Sequence, residues 1–260
     1  MSQPVIATSA LIYANGPMHI GHMLEAIQTD IWVRHQKMQG RPCLYLCGSD
    51  AHGTPIMLNA EKKGITPEDM VAHYHEDHER NLESFLIDID CFHSTHSEEN
   101  RTLSEAMFKA ASDNGDIDMK EVIGAFDESR QMFLPDRFVK GTCPRCGAKD
   151  QYGDSCEVCG ATYSTQDLID PYSVLSGEAP CEKASNHYFF ALNHYSDFLS
   201  QWLQQGHVQD QVSNKLFEWI DQGLNPWDIS RDAPYFGFPI PGSADQYFYV
   251  WLDAPIGYVA

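Results

Sequence analysis

The sequence has 260 residues, enough to bury a sizeable core in one or two domains. Its composition, 43% hydrophobic and 21% charged, is that of an ordinary globular protein, and a formal net charge of −20 argues against a protein that holds DNA by neutralising its phosphates. No apolar run approaches the roughly 18 residues of a membrane span, and no basic segment marks a signal peptide at the N-terminus. We therefore expect a cytosolic protein that binds neither DNA nor a membrane.

The first sixty residues alternate buried strands with helices. Residues 4–12 form a short, partly β-branched apolar run, and residues 43–47 form a second one. Between them, Pro17 suits the first turn of a helix whose apolar face continues to a stop at Gly40. Another helix is predicted over residues 54–64. This order predicts an α/β fold with a parallel sheet and right-handed crossovers.

Polar residues follow the predicted strands where the strands end. The loops over residues 13–22 and 48–54 are rich in His, Asp, Asn and Gly, and a third predicted strand, residues 247–252, leads into Asp253-Ala-Pro. In a parallel sheet, ligands bind beyond the carboxyl ends of the strands. The pattern therefore predicts one pocket at which three strand ends meet.

The middle of the chain has a different character. Residues 65–130 are acidic and helical in pattern, with Thr66 as a good N-cap, and residues 186–224 return to a helical pattern. Between them, residues 137–165 are rich in Gly and Cys and resemble a small metal-stabilised module. The pattern predicts an α/β domain interrupted by an insertion. The expected parts are residues 1–115, the first part of the α/β domain; residues 116–235, the insertion; and residues 236–260, the return to the α/β domain.

Four central cysteines form two CxxC motifs, each followed by glycine. They are Cys143, Cys146, Cys156 and Cys159. Two such turns let four thiolates reach one ion at about 2.3 Å in tetrahedral geometry, with no open position for a substrate. Disulfides are the alternative, which a cytosolic setting disfavours. The motifs therefore predict one structural Zn²⁺ per chain. The other cysteines, expected to be core thiols, are Cys43, Cys47, Cys91 and Cys181.

Two histidines stand three residues apart where the first helix is expected to begin. His19 and His22 would share one side of the first turn, close to backbone N–H groups that lack helical partners. The positive end of a helix attracts anions, so two imidazoles there could donate hydrogen bonds to phosphate oxygens. Gly21 removes a side chain where a flat group could lie against the backbone. Helix capping or core packing is the alternative role for either histidine.

The loop over residues 48–54 offers a second set of polar groups. Asp50 could accept hydrogen bonds from an ammonium group or a ribose hydroxyl, or it could bond to its own backbone in a turn. His52 is equally compatible with a structural and a functional role.

These residues lie in motifs that cover essentially the whole chain. The sequence resembles methionyl-tRNA synthetase, a class I aminoacyl-tRNA synthetase whose signature reads HIGH. The matching stretches are Ala10-Leu-Ile-Tyr-Ala-Asn-Gly16, His19-Ile-Gly-His22, Cys47-Gly-Ser-Asp-Ala-His-Gly-Thr-Pro55, Met132-Phe-Leu-Pro-Asp-Arg-Phe-Val-Lys-Gly-Thr-Cys-Pro144, Trp227-Asp-Ile-Ser-Arg-Asp-Ala-Pro-Tyr-Phe-Gly237 and Tyr249-Val-Trp-Leu-Asp-Ala-Pro-Ile-Gly-Tyr258. The resemblance implies a Rossmann-type parallel sheet with a zinc-binding connective insertion.

The resemblance also implies a two-step reaction. Methionine and ATP, the latter with Mg²⁺, would give methionyl-adenylate and pyrophosphate, and the methionyl group would then pass to the acceptor end of tRNA(Met). The ATP-binding residues would be His19, Ile20, Gly21 and His22, the two histidines stabilising the pentacoordinate phosphorus. The methionine-binding residues would be Ala10, Leu11, Tyr13, Asp50, Trp251, Ala254, Pro255 and Tyr258, with Asp50 on the amino group. Arg231 would be a further catalytic residue, on the activated carboxylate or phosphate, although it could equally form a structural ion pair.

The sequence departs from the family pattern at three places. Ile12 stands where the family usually has proline, and Ser49 replaces an acid that often precedes Asp50. The 260 residues contain no KMSKS-like segment and no helical anticodon-binding domain. We therefore expect an N-terminal catalytic portion that is almost inactive alone, with any homodimer depending on the missing C-terminal parts. The open edge of an incomplete sheet predicts aggregation or marginal stability.

Two other classes of function stay open at this point. A non-catalytic paralogue could use a zinc-stabilised fold to bind methionine, a nucleotide or a protein partner. A class I-like nucleotidyl transferase or amino-acid ligase could also carry a HIGH-type motif. Methionine-dependent ATP–pyrophosphate exchange distinguishes the three.

Overall fold

The computed structural model describes residues 3–260. They form two compact units, the first comprising residues 3–115 and 235–260 and the second residues 116–234. In chain order the helices are α1 (Ile20–Met38), α2 (Thr54–Lys63), α3 (Pro67–Ser84), α4 (Glu98–Asp113), α5 (Ser196–Gln204), α6 (Asp210–Asp221) and α7 (Val250–Ile256). The strands are β1 (Val5–Thr8), β2 (Ile12–Tyr13), β3 (Cys43–Asp50), β4 (Cys91–Ser94), β5 (Ile117–Asp127), β6 (Met132–Phe133), β7 (Val139–Thr142), β8 (Gln151–Tyr152), β9 (Ile169–Ser173), β10 (Cys181–Phe190), β11 (Trp227–Asp228), β12 (Ser230–Asp232) and β13 (Gln246–Phe248).

The first unit is built on a parallel sheet with β3 at its centre. β1 pairs with the first half of β3 and β2 with the second half, while β4 pairs with the other edge of β3. Gly48 permits the close approach of β4, because a Cβ at this position would lie 2.2 Å from the carbonyl oxygen of His93. The predicted α/β class with a parallel sheet is confirmed.

The predicted strand over residues 4–12 is interrupted between β1 and β2. The backbone N–H of Ala10 donates to Glu25 Oε1 (2.7 Å), and that of Leu11 donates to the hydroxyl of Tyr258 (3.1 Å). Because these two N–H groups bond to side chains, they do not take part in a strand ladder. The gap places a short stretch of irregular backbone beside the carboxyl end of β3.

The helices of the first unit begin where a side chain satisfies their first N–H groups. The side chain of His19 caps α1, so the helix starts at Ile20 and not at Pro17 as predicted. Thr66 caps α3 by accepting from the backbone N–H of Asp69 (3.1 Å), as expected. Among residues 3–260, no helix has both the length and the apolar character needed to cross a membrane.

Residues 247–252 do not form one strand, contrary to the prediction. β13 ends at Phe248, and α7 begins at Val250, whose backbone N–H donates to the hydroxyl of Tyr235 (3.1 Å). The β-branched and aromatic residues of this stretch suit a strand. In the structure, however, the hydrogen bond from Val250 to Tyr235 lies at the first residue of a helix. Asp253 therefore lies in the first turn of α7, and a helix stands where the sequence predicted a third strand end.

The second unit is antiparallel. β10 lies between β5 and β11, β6 pairs with β5, and β7 lies between β8 and β9 in a separate sheet. The helical predictions were wrong for β4, for β5 and for the start of the stretch over residues 186–224. All ten residues of β10 pair with residues of β5 far away in the sequence, and such pairing overrides local propensity.

The cysteines outside the CxxC motifs differ from one another. Cys43 and Cys47 are buried, as predicted, whereas Cys91 and Cys181 are exposed, so the prediction of core thiols was wrong for the last two. Both exposed cysteines lie at the start of strands that were not predicted.

Candidate active site

The start of α1 is capped by its own histidines. His19 Nδ1 accepts hydrogen bonds from the backbone N–H groups of Gly21 (3.1 Å) and His22 (3.4 Å), and His22 Nδ1 accepts one from the backbone N–H of His19 (3.3 Å). The two imidazole rings stack with their centroids 3.6 Å apart. A Cβ on Gly21 would lie 3.0 Å from His19 Cε1 and Nδ1, so a larger residue would press on the capping ring.

These hydrogen bonds determine which ring nitrogen carries the proton. A neutral imidazole that accepts at Nδ1 carries its proton on Nε2, so each histidine keeps one N–H donor on the side of the ring opposite to its capping bond. Burial and the neighbouring His19 lower the pKa of His22, which favours its neutral form. Ile20, between the histidines, is 87% exposed. Helix capping and anion binding are therefore compatible roles for the same two side chains.

Asp50 ends β3 close to the loop that leads into α1. Its backbone carbonyl accepts from the N–H of Ala14 (2.8 Å), which joins the two strand-end loops. Its side-chain oxygen Oδ1 is buried and has no hydrogen-bond partner within residues 3–260. Burial, together with the nearby carboxylate of Asp253, raises the pKa of Asp50 to about 7. A cationic group of a ligand would stabilise this buried carboxylate.

His52 connects the loop after β3 to α7. The side chains of His52 and Asp253 are buried, and His52 Nδ1 hydrogen-bonds to Asp253 Oδ2. His52 Nε2 lies 2.9 Å from His96 Nδ1 in the loop after β4, and the backbone carbonyl of His52 accepts from the hydroxyl of Tyr13 (3.0 Å). From the sequence, the role of His52 was open, and no role was predicted for Asp253 or His96. Pairing across about 200 residues has no signal in a single sequence.

Three of the residues predicted to bind methionine meet at the gap between β1 and β2. The hydroxyl of Tyr258 accepts from the N–H of Leu11 (3.1 Å) and donates to the carbonyl of Ser9 (3.2 Å), on either side of Ala10. Tyr13 follows in β2, where burial and the charge of Asp50 raise the pKa of its hydroxyl, so that it stays neutral.

The other predicted methionine residues lie on α7. Trp251 is 67% exposed and stacks on Tyr249 with the ring centroids 6.1 Å apart. Ala254 is partly buried and Pro255 is exposed. They are flanked by the buried residues Asp253 and Ile256. The helix thus presents accessible apolar groups next to a buried polar anchor.

Arg231 belongs to the second unit. Its Nη1 lies 3.4 Å from Asp228 Oδ2 and donates to the carbonyl of Ser230. The same oxygen of Asp228 bonds to His187 Nδ1 (2.7 Å), while His187 Nε2 bonds to Asp232 (2.9 Å). The ion pair that the sequence left open for Arg231 is therefore present.

The four CxxC cysteines of the second unit come together. Their Sγ atoms all lie within 4.8 Å of one another, with Cys143–Cys159 at 3.9 Å and Cys146–Cys156 at 3.6 Å. Zinc bonds of about 2.3 Å in a tetrahedron separate the sulfurs by about 3.8 Å, so the cluster has the size of a zinc site. Burial opposes ionisation of Cys143, but hydrogen bonds from the backbone N–H groups of Cys146 and Arg145 outweigh it and lower its pKa to about 7.

The two knuckles have the same backbone geometry. The N–H of Gly147 donates to the carbonyl of Cys143 (3.0 Å), and that of Gly160 donates to the carbonyl of Cys156 (2.9 Å). Both glycines have positive φ, 72° and 70°, which explains why glycine follows each motif. The donor set and its geometry fit a zinc ion held by four thiolates.

A parallel sheet with a site at its strand ends, and a helix beginning there with His-Ile-Gly-His, defines the catalytic fold of a class I aminoacyl-tRNA synthetase. The family described as "tRNA synthetases class I (M)" matches residues 5–260, and the chain belongs to it.

Solved structures agree with this assignment. Methionyl-tRNA synthetase of Mycobacterium tuberculosis bound by methionyl-adenylate is similar at a TM-score of 0.75 and 22% identity, over 99% of this chain and 46% of that one. A second structure of the M. tuberculosis enzyme in complex with methionyl-adenylate gives the same TM-score and identity over 100% of this chain and 46% of that one. The chain thus spans about half the length of these proteins, and its resemblance to the N-terminal catalytic portion of methionyl-tRNA synthetase is confirmed.

Proposed function

We propose that this chain supplies the HIGH half of the active site of a methionine–tRNA ligase, which activates methionine with ATP and transfers it to tRNA(Met). The observation that carries the proposal is the arrangement at the start of α1. His19 and His22 use Nδ1 to cap the helix and keep Nε2–H for an anion. Asp50, whose backbone carbonyl accepts from Ala14 in the loop before α1, offers a carboxylate whose buried Oδ1 has no hydrogen-bond partner among residues 3–260. One side of the site suits phosphate and the other suits an ammonium group.

The proposed roles follow from these groups. His19 and His22 donate to the ATP phosphates and stabilise the charge that develops when the methionine carboxylate attacks the α-phosphorus, with Mg²⁺ bound to the ATP. Gly21 and Ile20 leave room for adenine beside the turn. Asp50 holds the amino group of methionine, so that the enzyme acts mainly by orientation and electrostatics.

The remaining assignments concern specificity and structure. The apolar part of the methionine site is assigned to Ala10, Leu11, Tyr13, Trp251, Ala254, Pro255 and Tyr258. Aromatic walls suit a thioether, since each sulfur–aromatic contact contributes about 0.3–1.5 kcal/mol. Arg231 is assigned to the activated carboxylate or phosphate. The second unit is the connective insertion, and its four thiolates hold a structural zinc.

A pair of substitutions at His19 tests the ATP-binding role. Asparagine can still cap α1 through its side-chain oxygen but lacks an N–H at the place of Nε2, whereas alanine removes both functions. We expect methionine-dependent ATP–pyrophosphate exchange, measured on the product of the whole gene, to fall at least about 100-fold in both variants. The unfolding free energy should fall by about 0.5–2 kcal/mol only in His19→Ala.

Exchange driven better by another amino acid, or exchange unchanged in His19→Asn, would overturn the proposal. The second candidate function is a zinc-stabilised module that binds methionine or a nucleotide without catalysis, a role for which the four-cysteine cluster and the Asp50 carboxylate would suffice. Methionine binding without any exchange activity in the product of the whole gene would support that alternative.

A further inference from the structure

We propose that His52 is a positioning residue of the amino-acid site, which holds the loop carrying Asp50 and the helix α7 in one fixed arrangement. The inference rests on the proposed function, because it concerns the site assigned there to methionine. Several hydrogen bonds that meet at one buried residue carry it, rather than any single contact.

His52 and its successor attach the loop to four other parts of the first unit. Nδ1 of His52 bonds to Asp253 on α7, and Nε2 lies 2.9 Å from His96 Nδ1 after β4. The carbonyl of His52 accepts from the hydroxyl of Tyr13 on β2 (3.0 Å), and the N–H of Gly53 donates to the carbonyl of Phe236 (2.8 Å). Residues two to three positions after Asp50 are therefore tied to β2 and to α7, the elements that carry Tyr13, Trp251, Ala254 and Pro255 of the proposed methionine site.

The surroundings make these bonds specific. The side chain of His52 is completely buried, and the rings of Phe236 and Phe238 stand edge-on to it at centroid distances of 5.4 Å and 4.5 Å. A buried polar group without a partner is destabilising, so the ring strongly favours the one orientation that satisfies both nitrogens. Gly53, at φ 114°, fixes the loop further, since a Cβ there would lie 3.1 Å from the Tyr13 hydroxyl oxygen.

Other hydrogen bonds hold the same elements independently of His52. Asn100 Nδ2 donates to the carbonyls of Asp253 (3.1 Å) and Thr95 (2.9 Å), and Thr95 Oγ1 accepts from the N–H of Ala51 (2.9 Å). The fold should therefore survive substitution of His52. What should change is the local register, by which we mean the position of the Asp50 loop relative to α7.

That register matters for the proposed ligand. Asp253 lies on α7 between Trp251 and Ala254, so the His52–Asp253 bond sets the distance from the Asp50 carboxylate to the apolar groups of the helix. A misplacement of about 1 Å can cost about 100-fold in an oriented site. Loss of this bond should therefore weaken methionine binding without a direct contact between His52 and methionine.

Three substitutions separate positioning from general stability. Asparagine places an amide N–H near the position of Nδ1 and can keep the bond to Asp253. Glutamine reaches the position of Nε2 but not that of Nδ1, and leucine forms neither bond. We expect the methionine Kd, measured by calorimetry, to stay within about 3-fold in His52→Asn and to rise roughly 30–100-fold in His52→Gln and His52→Leu. ATP binding should stay constant, and the exposed-residue control His35→Asn should change neither constant.

A second measurement needs no ligand. Amide hydrogen exchange over residues 50–53 and 250–256 should accelerate at least about 10-fold in His52→Leu and much less in His52→Asn, with residues 143–160 unchanged. Equal methionine binding by the wild type and all three variants would overturn the inference. So would amide hydrogen exchange that is unchanged in His52→Leu over residues 50–53 and 250–256. A wild-type protein that binds no methionine would refute the proposed function, and the exchange measurement would then still decide whether His52 positions the two segments.

Discussion

His19 and Asp50 combine a structural and a chemical property in one side chain. His19 caps α1 through Nδ1 while Nε2–H remains for an anion, so neither function excludes the other. Asp50 is held in a buried place that raises its pKa to about 7. The folded chain therefore has a carboxylate that a cation would stabilise. Without a ligand, the ionised form of this carboxylate destabilises the fold at the place where a ligand is expected to bind.

Substitution of Asp50 by asparagine should separate stability from binding. The pKa of Asp50 is raised from 3.8 to about 7, so the ionised group destabilises the folded state increasingly as pH rises from about 4 to 7. At pH 8 we expect Asp50→Asn to raise the unfolding free energy by about 1–3 kcal/mol, measured by urea denaturation, because it removes a poorly solvated charge whose oxygen Oδ1 has no hydrogen-bond partner among residues 3–260.

The same substitution should abolish the pH dependence of methionine binding. Binding of an ammonium group requires the ionised carboxylate. The methionine Kd of the wild type should therefore rise as pH falls below about 7, by up to about tenfold per pH unit. Asp50→Asn should bind at least about 100-fold more weakly at pH 8 and show no such slope. Asp118→Asn, at an exposed position of the second unit, is the matched control. A slope retained in Asp50→Asn would show that another group titrates.

At the scale of elements, the two CxxC knuckles make a stabilising unit out of short, irregular segments. The four Sγ atoms come together although Cys146 and Cys159 are exposed and only Cys143 and Cys156 are buried. The hydrophobic cluster at the knuckles contains only these two cysteines and Ala161 as buried residues. Such a small core does not account for a stable fold by itself, and metal binding would supply the missing free energy.

Metal analysis of carefully reduced protein should find one zinc per chain. Cys146→Ser removes one ligand and should lower the zinc content and the melting temperature of the second unit, while Cys181→Ser, an exposed cysteine outside the motifs, should change neither. A zinc content well below one per chain in the wild type would count against the four-thiolate site.

The antiparallel sheet of the second unit contains a pH-dependent link between strands. Burial lowers the pKa of His187 on β10, but its hydrogen bonds to Asp228 and Asp232 outweigh this and raise the pKa from 6.5 to about 9. A raised histidine pKa means that the stabilisation is fully present below about pH 6.5 and is lost as pH rises through about 9.

His187→Leu should therefore be most damaging at low pH. We expect the unfolding free energy of the second unit to fall by about 1.5–3 kcal/mol at pH 6, the contribution of a hydrogen bond to a charged group. The difference from the wild type should shrink above pH 9. An NMR titration that places the imidazole pKa of His187 below 7 would contradict the prediction.

At the scale of the whole molecule, the sheet of the first unit ends in edge strands that have a strand neighbour on one side only. β1 pairs only with β3 among the described strands, and Ile6 on β1 is 65% exposed. With Trp32, which is 45% exposed, Ile6 borders a groove of about 370 Å³ beside α1. An open edge with apolar side chains favours pairing with another chain. The net charge of −20 opposes this only weakly at physiological salt, where screening acts over about 8 Å.

The 260-residue chain should therefore self-associate as its concentration rises. Ile6→Lys places a charge at the edge and should shift sedimentation velocity profiles toward the monomer, whereas Met38→Lys, at an even more exposed apolar residue at the end of α1, should not. A wild-type chain that stays monomeric and unfolds in a sharp, reversible thermal transition would contradict the expectation.

The features that were predictable from the sequence depend on neighbours along the chain. The cap at Thr66, the end of α2 at Gly64 and the CxxC-Gly turns all follow from hydrogen bonds between residues a few positions apart. The buried strand β3 follows from a continuous apolar run. These signals are local, so a single sequence carries them.

The features that were missed depend on distant partners. β5 and the second half of β10 lay in stretches that were predicted to be helical. Their ladder joins residues about 55 to 75 positions apart, and local patterns do not show such a pairing. The interruption between β1 and β2 comes from Glu25 and Tyr258, which take the N–H groups of residues 10 and 11. Such tertiary contacts override the secondary-structure propensity of a segment, because each buried backbone N–H and C=O group must form a hydrogen bond.

The family, the parallel sheet, the four-cysteine cluster and the histidine turn could all be predicted from the sequence, because each is encoded in spacing over a short stretch or in whole motifs. The tertiary structure was needed to show that Asp253 lies in the first turn of a helix, that His52 joins this helix to the Asp50 loop, and that burial raises the pKa of Asp50. The reason is physical: desolvation and long-range hydrogen bonds arise only when distant segments exclude water together.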